Sequence, residues 1–146
     1  MKINIGGGFE KIDGWLNADE SRDNQCCFGD KKFDPDVIID VDELPLPFED
    51  GSIDAFRMRD VMIETNHICN IDPGSKSYEH WKKFAKEIER CLKPGGMFIL
   101  IEHQGYHVPY DEVLELVLRE KGPAPDYMDE EPEKYYFIIS IYQKKV

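Results

Sequence analysis

Gly6-Gly7-Gly8 closes the short apolar run Lys2–Ile5, and glycines in that place let a backbone turn tightly and come close to a ligand. Acids and bases then recur after each later apolar run: Asp19, Asp40, Arg59 with Asp60, and Glu102 with His103. A carboxylate accepts two donors at once, so Asp19 suits the paired hydroxyls of a ribose and Asp40 the amino group of an adenine. For a single such aspartate, a solvated chain end is the plainer reading. For Gly6, Gly8, Asp19 and Asp40 in this order, a site is favoured.

The glycine loop is as informative for what it lacks. A pyrophosphate site wants three spaced glycines leading into a helix whose N-terminus faces the phosphates. Here Gly6 and Gly8 have the first spacing, but Glu10 follows and would repel a phosphate. No Gly-Lys-Ser/Thr phosphate loop occurs anywhere in the chain. NAD, FAD and nucleoside triphosphates are therefore disfavoured. A ligand with ribose, adenine, no phosphate and a positive centre fits the glycines and the acids together, and S-adenosylmethionine (SAM) has all of these properties.

The elements that must position these residues follow from patterning. Strands are expected at Lys2–Ile5, Trp15–Ala18, Asp36–Asp40, Ile53–Met58, Met97–Ile101 and Tyr135–Tyr142, the last aromatic and β-branched. A short helix is expected near Val61–Ile68. The clearest helix is expected over Tyr78–Leu92, where Trp81, Phe84, Ala85, Ile88, Cys91 and Leu92 form one apolar stripe and Ser77 is a candidate N-cap. Pro94-Gly95-Gly96 suits a type II turn after it. Asp111–Lys121 reads as a further helix with Asp111 as cap and Gly122 just past its end. Short apolar strands alternating with helices argue for an α/β domain with a mostly parallel sheet and a ligand crevice at the carboxyl ends of the strands. Ten residues from Gly6 to Trp15 leave little room for the usual crossover helix.

The chain has 41% hydrophobic residues, a formal net charge of −12 and a pI near 4.7. Its length predicts one domain spanning residues 1–146 that buries roughly two-thirds of its unfolded surface. A field this acidic repels phosphate, so nucleic acid and anionic membrane are disfavoured as partners. No apolar run is long enough for a transmembrane helix and no signal peptide is read, so a cytoplasmic location is expected. Cys26, Cys27, Cys69 and Cys91 form no disulfide framework. A zinc site drawn from Cys26, Cys27, His67 and Cys69 matches no standard spacing, and no metal is expected.

Taken together, Asn4–Gly8, Asp13–Asp19 (D-G-W-L-N-A-D), Asp36–Asp40, Leu46–Asp54 (L-P-F-E-D-G-S-I-D), Val61–Glu64 and Glu87–Gly96 (E-I-E-R-C-L-K-P-G-G) resemble the class I SAM-dependent methyltransferases of the small type 11 kind. The resemblance covers about residues 1–103. It implies a Rossmann-like, mostly parallel sheet of about seven strands with the last antiparallel, helices on both faces and a reduced first crossover helix. It also implies SAM over Gly6, Gly7 and Gly8, with Asp19 on the ribose and Asp40 and Val41 beside the adenine. Arg59, which follows the fourth apolar run, is a further candidate cofactor-binding residue by its place in the chain. The chain departs from the family pattern at Asn4, Glu10 and Thr65.

A methyl group on a sulfonium already has a good leaving group, so transfer needs mainly proximity and alignment. A base is needed only where the acceptor must lose a proton. His103 is the first candidate because it follows the fifth strand and titrates near neutrality. Asp60 is the second, and Glu64, His67, Glu102 and His107 are weaker. The function expected is methyl transfer from SAM to a small-molecule, sugar or protein acceptor, by a monomer or homodimer. The alternative is a SAM- or nucleoside-binding domain of the same fold that acts as a partner or regulatory subunit without turnover.

Overall fold

The computed structural model describes residues 1–6, 11–20, 34–59, 76–103, 110–122 and 137–146. The strands are β1 (Lys2–Ile5), β2 (Leu16–Asp19), β3 (Val37–Ile38), β4 (Ile53–Arg59), β5 (Leu92–His103), β6 (Glu115–Gly122) and β7 (Phe137–Gln143). One α-helix, α1 (Lys76–Cys91), links β4 to β5 among the described residues, and a single 3-10 turn, Tyr110–Glu112, precedes β6. The seven strands lie in the order β3-β2-β1-β4-β5-β7-β6. β1 to β5 pair in parallel, and β7 runs antiparallel to both β5 and β6. The fold is the Rossmann-like, mostly parallel sheet with its last strand reversed. The order reverses between β1 and β4, so the crevice lies at the carboxyl ends of those strands.

Register explains the core. Ile3 and Ile5 of β1 sit beside Phe56 and Met58 of β4, which sit beside Phe98 and Leu100 of β5. All six are buried, and strand alternation places them on one face. α1 covers that face with the stripe expected from its sequence: Trp81, Phe84, Ala85, Ile88 and Cys91 are all buried. Each large side chain so buried contributes roughly 1.5–3 kcal/mol, which far exceeds the helix's intrinsic propensity. Because α1 leads back to the start of β5, its N-terminal end lies towards the carboxyl ends of the strands.

The turn expected at Pro94-Gly95-Gly96 is met as a bulge within β5, where the register with β4 passes from Ile53↔Leu92 to Ala55↔Met97. Gly95, at the third position behind Pro94, has φ +76°, which favours glycine there. Gly96 is required for a different reason: a Cβ would lie 2.8 Å from the carbonyl oxygen of Lys93 and 3.2 Å from that of Asp54. Lys93 reaches back across this turn to Asp54 at 2.7 Å, and the Met1 ammonium pairs with the same carboxylate. These two cations hold the Asp54 carboxyl at about 2, below the usual carboxylate range.

Two expectations are corrected. α1 starts at Lys76, so Ser77 lies inside the first turn and is not the cap. Residues 111–121 are not a helix: the chain makes one 3-10 turn and then β6, an edge strand paired with β7 over Glu115–Gly122. Leu, Glu, Arg and Lys favour helix locally, but pairing with β7 overrides that propensity. Arg119 lies across β7 to donate to Ser140 Oγ at 3.1 Å and to Tyr142 Oη at 2.9 Å. Tyr110, in the 3-10 turn, is fully buried in the core, with its ring 5.0 Å from that of Phe98 and 5.7 Å from that of Trp81. The short helix expected near 61–68 lies outside the described residues.

Candidate active site

Gly6 ends β1 with φ +69°, a conformation that suits glycine. Its amide donates to the carbonyl of Ala18 at 2.8 Å, which carries the ladder past the strand and sets Gly6 beside Asp19. The carbonyl of Asp19 in turn accepts from the amide of Ile39 at 2.8 Å, so the end of β2 is tied to the chain leaving β3. Two backbone hydrogen bonds thus bring Gly6, Asp19 and Asp40 to the carboxyl ends of three adjacent strands.

The opposite sheet face steadies this corner with a polar chain. Arg57 donates to Asn4 Oδ1 at 2.9 Å, Asn4 Nδ2 donates to Asn17 Oδ1 at 2.9 Å, and the Asn17 amide donates to Asp36 Oδ2 at 2.9 Å. Asn4 is fully buried, and these partners satisfy it. Its position in the glycine motif therefore has a structural meaning: it locks β1 to β2 and β4 just before the loop.

The two site acids are shaped differently. Asp19 is half-buried, and its Oδ1 accepts the amide of Glu20 at 2.9 Å. Asp40 folds its Oδ1 back onto the amide of Asp42 at 2.9 Å, while its carbonyl accepts from Glu43 at 3.1 Å. The turn 40–43 is therefore closed on itself. Val41 is buried, and its carbonyl lies 3.0 Å from His80 Nε2 on α1.

Arg59 is not brought to this cluster. Its guanidinium sits 4.9 Å above the Phe137 ring, on the far side of β5 from β1 and β2. His103 ends β5 opposite Phe137 in register, and its side chain lies outside the described structure. Gly7, Gly8 and Asp60 also lie outside the described residues. Among the described residues no group of His, Cys, Asp and Glu is arranged to hold a metal, and no helix is long and apolar enough to cross a membrane.

A family model described as a methyltransferase domain matches residues 18–100, more than half of the chain. The chain belongs to this methyltransferase family. The match takes in Asp19, Asp40 and the L-K-P-G-G motif, which resemble the type 11, class I SAM-dependent family, and SAM is the cofactor. None of the curated proteins matches. Among solved structures, the chain is similar to a SAM-dependent methyltransferase from Methanosarcina mazei at 14% identity, over 99% of this chain and 92% of that one, with a TM-score of 0.59. It is similar to one from Mesorhizobium loti at 13% identity, over 97% and 90%, with a TM-score of 0.54. It is also similar to the Burkholderia thailandensis 1,6-didemethyltoxoflavin-N1-methyltransferase, solved with S-adenosylhomocysteine, at 10% identity, over 99% and 71%, with a TM-score of 0.55. Likeness at these identities is likeness of fold.

The family motifs have a mechanical reading in this chain. Arg90 donates to Glu87 at 2.8 Å, to Asp50 at 2.6 Å, to the carbonyl of Phe48 at 2.8 Å and to that of Leu46 at 3.1 Å. Glu87 Oε2 also accepts the amide of Leu46 at 2.9 Å. The i, i+3 pair in E-I-E-R thus clamps the L-P-F-E-D stretch onto the last turns of α1. The Arg90 guanidinium holds the Glu87 carboxyl below the usual range, and the two carboxylates push the Arg90 guanidinium up. Residue types alone do not reveal this clamp; only the helical spacing of Glu87 and Arg90 hints at it.

Proposed function

We propose that the chain transfers a methyl group from SAM to an acceptor. The observation that carries the reading is the convergence of Gly6, Asp19 and Asp40–Val41 at the carboxyl ends of β1, β2 and β3, tied by the Gly6–Ala18 and Ile39–Asp19 hydrogen bonds. In this reading Gly6–Gly8 lie under the cofactor, Asp19 takes the ribose hydroxyls, and Asp40 and Val41 flank the adenine. The bound sulfonium supplies an activated methyl group. The chain's own residues hold it in line with the acceptor and keep phosphorylated nucleotides out through Glu10 and the surrounding acids. Where the acceptor must lose a proton, His103 is the first candidate to take it and Asp60 the second.

Calorimetric titration with SAM, S-adenosylhomocysteine and NAD tests this reading. Binding of the first two and not the third is the expected result. No heat with either SAM compound, alongside binding of NAD, would end it. A second reading, a domain that binds SAM but turns over only with a partner subunit, is favoured by one observation: Glu115–Gly122, where a helix is expected, pairs with β7 as an edge strand, so that segment supplies no helix to roof an acceptor. Release of S-adenosylhomocysteine by the isolated chain over a panel of small acceptors would reject that second reading.

A further inference from the structure

We propose that His80 is a positioning residue for the adenine end of the cofactor site, acting through one peptide group to orient the carboxylate of Asp40; the inference rests on the SAM reading above. His80 Nε2 lies 3.0 Å from the carbonyl oxygen of Val41. A carbonyl oxygen only accepts, so Nε2 carries the hydrogen and donates. The other side of that same peptide group is the amide of Asp42, which donates to Asp40 Oδ1 at 2.9 Å. A peptide group is planar and trans, so its C=O and N–H point in opposite directions. Fixing the carbonyl with His80 therefore fixes the direction of the N–H, and the N–H fixes Asp40. The two hydrogen bonds share one dipole and polarise each other.

The placement on α1 supports this division of labour. His80 and Glu87 are seven residues apart, two helical turns on one stripe, and Arg90 follows one turn later. Along this stripe the helix holds the chain after β3 in the same order: Val41 at His80, Leu46 at Glu87, then Leu46 and Phe48 at Arg90. The Glu87–Arg90 clamp lies at the far end of the helix from the carboxyl ends of the strands. The His80 stitch lies at the near end, with its side chain 14% exposed and Asp42 Oδ1 3.6 Å from Nε2. The far clamp therefore holds the fold, while the near stitch aims a carboxylate. A carboxylate held by its Oδ1 presents Oδ2 as an acceptor for an exocyclic amino group, and it disfavours a carbonyl at the same place.

The test compares affinities for S-adenosylhomocysteine and for its deaminated counterpart, S-inosylhomocysteine, which carries a carbonyl in place of the adenine amino group. The wild-type chain should prefer the adenosyl compound. His80→Phe should weaken S-adenosylhomocysteine binding by about three- to tenfold and leave S-inosylhomocysteine binding unchanged, so the preference narrows. The melting temperature without ligand should barely move. His80→Gln, whose side-chain amide can donate to the same carbonyl, should restore the preference. Should His80→Phe unfold, His80→Asn, too short to span the contact, carries the same comparison. A wild-type preference retained in His80→Phe, or both affinities falling together with the melting temperature, would overturn the proposal. A wild-type chain that binds neither compound would overturn the SAM reading itself and take the inference with it.

Discussion

Asp19 stands where the ribose assignment is decided. β2 is only four residues long, and Asp19 is half-buried at its end with one oxygen on the amide of Glu20. Hydrogen bonds to a charged acceptor are worth roughly 1.5–3 kcal/mol each. Asp19→Ala should therefore weaken SAM binding by roughly tenfold to a few hundredfold, read by calorimetry, while unliganded stability stays within about 0.5 kcal/mol. Asp19→Glu should be nearly as harmful, because one extra methylene moves the oxygens off the ribose edge. Unchanged affinity in Asp19→Ala would remove the ribose assignment. Cys91 makes the opposite case, a residue with chemistry it does not use. It is fully buried at the end of α1, and burial pushes its thiol up to about 11. Its peptide should stay unlabelled by thiol reagents at neutral pH in the folded protein and label on unfolding, as mass spectrometry would show. Labelling in the folded protein would contradict the packing of α1.

At the scale of the elements, the clamp between α1 and the chain after β3 is an extensive polar fastening, with Arg90 and Glu87 reaching Leu46, Phe48 and Asp50. Arg90→Ala should cost about 2–4 kcal/mol in urea unfolding, because the partly buried Glu87 carboxylate and two backbone carbonyls lose their donor. The pH dependence has a definite sign. Arg90 lowers the folded-state pKa of Glu87, so its contribution is present above the ordinary carboxylate range and is lost as pH falls through the lowered folded value. The wild type should thus lose stability in acid, and Arg90→Ala should flatten that limb. An unchanged acid limb would show that the ion pair carries little. The elements also show what was legible in the sequence. α1 was legible because its stripe is local, with Trp81, Phe84, Ala85 and Ile88 repeating at helical spacing. β6 was not. Its eight residues, E-L-V-L-R-E-K-G, carry helix formers, and only pairing with β7, with Arg119 reaching Ser140 and Tyr142, makes them a strand. That strand also guards the edge of the sheet, since its register shifts between Leu116 and Leu118 and its outer residues are mostly charged.

At the scale of the whole molecule, the site is made by strand order. Gly6, Asp19 and Asp40 are far apart in sequence and meet because β1, β2 and β3 lie side by side with their carboxyl ends together. Glycines and acids at strand ends can be read from a sequence, since each needs only its neighbouring apolar run. The contact of His80 with Val41 cannot, because 39 residues separate them and neither residue type marks the other. The direction of Arg59 could not be read either, because its ring partner Phe137 comes from the last strand. The central claim is that the corner formed by Gly6, Asp19 and Asp40–Val41 holds the adenosine of SAM. A crystal structure with S-adenosylhomocysteine bound measures this directly. The account predicts both ribose hydroxyls on the Asp19 carboxylate and the adenine between Asp40 and Val41. Ligand density away from the ends of β1, β2 and β3, or a ribose that does not meet Asp19, would contradict it.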